Sequence, residues 1–223
     1  MAVRLLVASR NAKKLAELRR VLDAAGIEGI DPVGLDDVPA FAEEPEDGAT
    51  FSENARIKAM AGWRATGLPC LADDSGLAVD ALNGMPGVLS ARWAGRHGDD
   101  AANNALLLAQ LADVPDERRG AAFVSACALV GPGVPDGLHT SDGSGALGGH
   151  GDLGVFVAEG RWPGRVLREP RGEGGFGYDP IFLPEGADRA AAELGPQEKD
   201  AASHRGRALR ELAPALRQLA ERG

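Results

Sequence analysis

Leu71-Ala72-Asp73-Asp74-Ser75-Gly76 sets two adjacent carboxylates directly after an apolar run and closes on a Ser-Gly pair. The run reads as a strand that delivers acids to a rim, with residues 76–82 returning as its hairpin partner. Neighbouring carboxylates repel and are costly to desolvate, so a chain that places them beside buried residues usually supplies a cation. A hard divalent ion such as Mg²⁺ suits oxygen ligands and commonly arrives with a phosphate-bearing substrate. Standing alone, Asp-Asp-Ser-Gly is equally at home as an ordinary turn at a strand end.

The chain is long enough, at 223 residues, to bury a sizeable core as one domain or two closely joined lobes. Aromatic residues are only 4% of it, so packing must rest on Leu, Val and Ala. A formal net charge of -9 argues against a nucleic-acid or acidic-membrane partner, both of which favour a basic face. The first apolar run, from Leu5 to Ala8, is too short for a signal-peptide core or a membrane span, which points to the cytoplasm. Cys70 and Cys127 each lie in apolar surroundings without metal-ligand spacing and read as buried free thiols.

Val3 to Ser9 reads as a buried strand, and Ala12 to Ala25 as a helix with Leu15, Leu18 and Leu22 on one face. Their junction, Ser9-Arg10-Asn11-Ala12-Lys13-Lys14, offers free backbone N–H groups and the positive end of a helix dipole to a phosphate. Thr50-Phe51-Ser52-Glu53 matches a capping box, and Asn54 and Lys58 follow one turn apart on one face. Residues 99–100 cap a leucine-rich helix, 121–130 form a strand, and 153–159 with 165–168 continue a sheet. The final helix begins near Ser203 and contains Pro214. Residues 131–152, rich in Gly, Pro, Ser and Asp, read as a flexible surface insertion. Two Gly-x-Gly-x-x-Gly runs, at Gly143 and Gly172, lack the strand and helix that a dinucleotide fingerprint needs.

In order along the chain stand Ser9-Arg10-Asn11-Ala12-Lys13-Lys14, Phe51 to Ala59, Asp73-Asp74-Ser75-Gly76-Leu77, Pro86 to Arg92, Gly174 to Pro180, and Glu198-Lys199 with Ser203-His204-Arg205-Gly206. This ordered set resembles the noncanonical purine nucleoside triphosphate pyrophosphatases, which hydrolyse dITP, ITP and XTP, and in wording it is similar to actinobacterial members. The resemblance runs from Val3 to about Leu219.

The resemblance implies a mixed α/β fold with a long twisted sheet, two lobes flanking a central cleft, and a homodimer. The whole chain, residues 1–223, would be one pyrophosphatase domain. It also implies Mg²⁺ and the release of pyrophosphate with a nucleoside monophosphate. Carried over by motif, Ser9, Arg10, Asn11, Ala12, Lys13 and Lys14 would bind the triphosphate. Asp74 would be metal ligand and proton acceptor, Ser75 would touch substrate, and Phe176, Gly177, Tyr178, Asp179, Lys199, His204 and Arg205 would form the nucleotide and base pocket. A second metal ligand would come from the acidic loop, with Glu46 preferred to Glu43 and Glu44. Asp73, Lys58 and Asn54 would support the site. The competing readings are a pyrophosphatase of similar fold acting on other modified nucleotides, and a nucleotide-binding sensor.

Overall fold

The computed structural model describes residues 2–9, 12–42, 44–140, 143–145 and 153–222. Eight strands carry the described fold: β1 (Val3–Val7), β2 (Ile30–Val33), β3 (Cys70–Val79), β4 (Gly120–Pro132), β5 (Gly137–Thr140), β6 (Gly143–Gly145), β7 (Leu153–Val166) and β8 (Phe182–Pro184). Five α-helices accompany them: α1 (Ala12–Ala24), α2 (Phe51–Thr66), α3 (Asp100–Gln110), α4 (Pro196–Ala202) and α5 (His204–Ala220). The sheet order is β2-β1-β3-β4-β7-β5-β6, with β8 on β7. The sheet is mixed: β1 is parallel to β2 and β3, β5 is parallel to β7, and β6 and β8 run antiparallel to their neighbours.

The chain forms two compact units, Met1–Asp74, Ser125–Gly160 and Arg205–Gly223 in the first, Ser75–Val124 and Arg161–His204 in the second. In the first unit, the two-residue period of the strands sorts side chains to two faces. Leu5, Val7, Leu71, Cys127, Leu129, Phe156 and Ala158 pack with Leu18 and Leu22 of α1 and Leu209, Leu212 and Leu216 of α5. The residues between them, Leu6, Cys70, Ala72, Ala126, Ala128, Val155 and Val157, pack with Ala55 and Ala59 of α2. Helices therefore cover both faces, which explains why these strands are apolar almost continuously rather than alternating. Four nearly inaccessible leucines of α5, Leu209, Leu212, Leu216 and Leu219, contribute about 1.5–3 kcal/mol each. Their sum outweighs the cost of about 3 kcal/mol for Pro214 inside the helix.

The second unit packs Leu77 and Val79 of β3, Phe123 of β4 and Trp162 and Val166 of β7 against Leu107 and Leu111 of α3 and Phe182. Phe123 and Phe182 meet edge to face with ring centroids 4.6 Å apart. Arg119 is buried yet donates to three carbonyls, Leu111 O, Val166 O and Leu167 O, at 2.6–2.9 Å. Those bonds satisfy the end of α3 and the exit of β7 at once.

Three sequence expectations change. No hairpin follows the acidic pair, because β3 continues through Asp73-Asp74-Ser75-Gly76 to Val79. Gly76 permits this by close approach: a Cβ there would stand 2.3 Å from Ser90 Oγ, which accepts from Leu77 N at 2.9 Å. The segments 153–159 and 165–168 are joined in one strand, β7, which passes through Pro163. Residues 131–152 are not simply a surface excursion either, since the described part of that stretch extends β4 and supplies β5 and β6. Val134 is buried in the core, and Asp136 Oδ1 accepts from Val155 N at 2.9 Å. Low apolar content hid these strands because what places them is backbone pairing, of β5 with β7 and of β6 with β5, with Val134 and Leu138 as the apolar contacts. Residues 141–142 and 146–152 lie outside the described residues.

Candidate active site

Adjacent strand residues face opposite sides of a sheet, and β3 applies that rule to its two acids. Asp73 turns to the side of α1 and α5. Its Oδ1 pairs with Lys14 Nζ at 2.7 Å, and its Oδ2 accepts from Arg205 Nε at 3.1 Å. Arg205 Nη1 also reaches Glu17 Oε2 at 3.3 Å, completing a buried chain of alternating charge. Burial pushes the Asp73 carboxyl upward, but Lys14 and Arg205 outweigh it and hold the group well below the usual carboxylate range. Arg205 is held charged by Asp73 and Glu17 against its own desolvation.

Asp74 turns to the side of α2. Thr50 caps that helix through a capping box, its Oγ1 accepting from Glu53 N at 3.1 Å while Glu53 Oε2 accepts from Thr50 N and Ala49 N. One turn along, Asn54 and Lys58 share a face. Asn54 Nδ2 donates to Asp74 Oδ2 at 3.2 Å, and Lys58 Nζ lies 3.1 Å from Asp74 Oδ1 and 3.3 Å from Glu46 Oε1. Asn54 Oδ1 accepts from Gly48 N at 2.8 Å, so one amide ties the acidic loop to the acid of β3. Burial, with Glu46 adding to it, raises the Asp74 pKa against the opposing pull of Lys58. Lys58 is pushed down by burial and up by Asp74 and Glu46, and the acids prevail.

The two acids therefore do not share one counterion: protein cations serve each on its own face. A divalent ion is required by neither for neutralisation. The donor set on the α2 side nevertheless fits one, because Asp74 and Glu46 converge as hard oxygen donors on a single ammonium, and Mg²⁺ commonly takes one or two carboxylates plus phosphate oxygens. Among the described residues no cluster of three or more His, Cys, Asp or Glu could hold a metal alone.

The remaining predicted residues divide by unit. Ser9 follows β1, and its backbone N–H donates to Val7 O at 2.8 Å. Arg10, Asn11 and Glu43 lie outside the described residues, and Ala12 and Lys13 are placed only as the opening of α1. In the second unit Phe176 is 46% exposed on the glycine-rich loop, with Lys199 Nζ 4.9 Å from its ring centroid. Lys199 pairs with Asp179, whose Oδ2 also accepts from Phe176 N at 2.8 Å. Asp179 is buried, so it holds the loop from beneath. Tyr178 is likewise buried and donates its hydroxyl to Ser90 O at 2.8 Å, a structural contact rather than an open one. His204 stacks on Phe123 at 5.0 Å. Ser75 opens the second unit immediately after Asp74, and Arg205 re-enters the first immediately after His204.

Sequence reasoning passed over Glu17 and Asn104 and gave Asp100 only as a helix cap, a role that Asp99 fills. Glu17 carried a usable signal, an acid one turn beyond Lys14 on the same helix. Asp100 and Asn104 carried none, because their partner is a backbone group 73–77 residues away.

Solved structures with this fold include an enzyme described as a nucleoside-triphosphatase or dITP/XTP pyrophosphatase from Mycobacterium abscessus, with a TM-score of 0.72 at 62% identity over 96% of this chain and all of that one. A HAM1 protein from Coxiella burnetii aligns with a TM-score of 0.79 at 40% identity, covering 96% of this chain and 98% of that one. The dITP/XTP pyrophosphatase of Nocardia farcinica is 68% identical over 219 residues, 98% of this chain and 97% of the relative. The model of the Ham1 family matches residues 5–215, and the chain belongs to that family.

Proposed function

We propose that this chain hydrolyses the noncanonical purine nucleoside triphosphates dITP, ITP and XTP to the nucleoside monophosphate and pyrophosphate, removing them from the nucleotide pool. The observation that carries the reading is the split of the acid pair: Asp73 is locked between Lys14 and Arg205, while Asp74 keeps a raised pKa beside Lys58 and Glu46. A general base works best when its pKa is lifted toward the working pH without losing its charge there. The Asp74 pKa is shifted in that direction, and that of Asp73 is shifted away from it.

In this mechanism Asp74 accepts the proton of the water that attacks the α-phosphorus, and Asn54 and Lys58 fix the orientation of its carboxylate. Lys14, placed after the β1–α1 junction and steadied by Asp73, offers its remaining N–H bonds to phosphate oxygens. Asp74 and Glu46 would hold Mg²⁺, which when bound supplies positive charge for the leaving pyrophosphate. The exposed Phe176 ring stacks on the purine, and Lys199 and His204 serve recognition of the 6-oxo base. The same reading carries a cytoplasmic location and a homodimer, for which light scattering after gel filtration is the direct measurement. No helix among the described residues is long and apolar enough to cross a membrane.

The test is a panel of ITP, dITP, XTP, GTP and ATP with Mg²⁺, scored for pyrophosphate against orthophosphate. Pyrophosphate from the first three, with ATP poorly used, is expected. Orthophosphate as first product would overturn the reaction, and equal use of ATP and ITP would overturn the specificity.

A further inference from the structure

The glycine-rich loop that bears Phe176 is held by a helix outside every motif described above. Gly177 N donates to Asp100 Oδ2 at 2.6 Å, and Gly177 O accepts from Asn104 Nδ2 at 3.0 Å. Asp100 and Asn104 are one turn apart on α3, whose start is fixed by Asp99 capping Ala102 N at 3.1 Å. Both polar groups of one residue, the one following Phe176, are thus gripped by one helix face. Gly177 takes a left-handed φ of +61°, and Phe176 N is bound to Asp179 Oδ2. Two successive loop N–H groups therefore end on carboxylates.

A second observation concerns the other end of the Asn104 amide. Its Oδ1 is buried and has no hydrogen-bond partner among the described residues. An unsatisfied buried acceptor costs stability, so an apolar side chain of similar size would suit the packing better. Retaining an amide there is accounted for by the one bond it does make, to Gly177 O.

We propose that Asp100 and Asn104 are positioning residues for base discrimination: they fix the peptide of Gly177 so that the Phe176 ring and its neighbours present one geometry to the purine. The proposal rests on the reading of this loop as the base-recognition element. A run containing Gly172, Gly174, Gly175 and Gly177 has large conformational freedom, and without anchors it would adapt to a 6-amino purine as readily as to a 6-oxo one. Rejection needs unpaired polar atoms to stay unpaired, which a yielding loop does not enforce.

The experiment compares wild type, Asp100→Ala, Asp100→Asn and Asn104→Leu for kcat and KM with ITP and ATP, alongside thermal melting. Asp100→Ala and Asn104→Leu are expected to lower the ITP-to-ATP ratio of kcat/KM by about tenfold, chiefly through a lower KM for ATP as its rejection relaxes. Asn104→Leu should melt at or above the wild-type temperature, since it removes the orphaned acceptor. Asp100→Asn keeps an acceptor for Gly177 N and should restore most of the ratio. An unchanged ratio, an equal loss for both nucleotides, or failure of Asp100→Asn to recover would overturn the proposal. If wild type itself releases no pyrophosphate from ITP, the parent reading fails instead.

Discussion

Asp73 and Asp74 differ by one position and by almost everything a carboxylate can feel. Asp74→Asn keeps the shape of the side chain and removes its capacity to accept a proton. We expect turnover of ITP to fall by ~10²–10⁴-fold with the melting temperature nearly unchanged, as steady-state kinetics and calorimetry will read. Asp73→Asn acts on stability. It leaves Lys14 and Arg205 facing a neutral group in a buried setting, and breaking such a pair costs on the order of 3–5 kcal/mol. The folded-state pKa of Asp73 lies below its unfolded value, so its stabilisation is present above about pH 4 and is lost as pH falls further. Denaturant titrations in chelator at neutral pH should show the deficit, and those toward pH 2 should show it shrinking. Equal stability of both proteins at neutral pH would contradict this. Sequence alone suggested repulsion between the two acids, and relief on removing one. It did not show the ion pairs, because the partners of Asp73 arrive from Lys14 and, 132 residues away, Arg205, a separation that no local pattern encodes.

Elements were legible where a local rule fixed them. The capping box at Thr50 and the leucine spacing of α1 and α5 placed those helices, and with α2 came Asn54 and Lys58. Strands were harder, since Asp73-Asp74-Ser75-Gly76 looks like a turn until its pairing and its contact with Ser90 are known. The Gly-rich stretch after β4 misled most. Its composition alone suggests that excising residues 132–152 would be harmless. The structure instead predicts that excision strips β5 from β7 and removes the buried Val134 from its core cluster. We expect that variant to lose several degrees in melting temperature or to become insoluble. Retention of the wild-type melting curve would show that β5 adds nothing to the sheet.

For the molecule as a whole, the two units differ in their natural reporters. Cys70 and Cys127 both belong to the first unit, and burial pushes each thiol up to about 12, so neither should react with a thiol reagent at neutral pH until that unit opens. Trp93 and Trp162 belong to the second and Trp63 to the first, so in a Trp63→Phe variant tryptophan fluorescence reports on the second unit alone. Because β3, β4 and β7 each run through both units without a break, thiol release and tryptophan fluorescence should change at the same denaturant concentration. Separate midpoints would mean that three shared strands are not enough to couple them.

The interleaved path of the chain also bears on its making. On the ribosome, β1, α1, β3, β4 and β7 are synthesised before α5, so the nascent first unit has one apolar face of its strands covered by α1 alone. Leu209, Leu212 and Leu216 close that face only when they leave the exit tunnel. Until Arg205 emerges, Glu17 and Asp73 await their arginine, with Lys14 alone to balance Asp73. The growing polypeptide is therefore at its stickiest just before α5 appears, the interval in which a chaperone that shields apolar surface would serve it most.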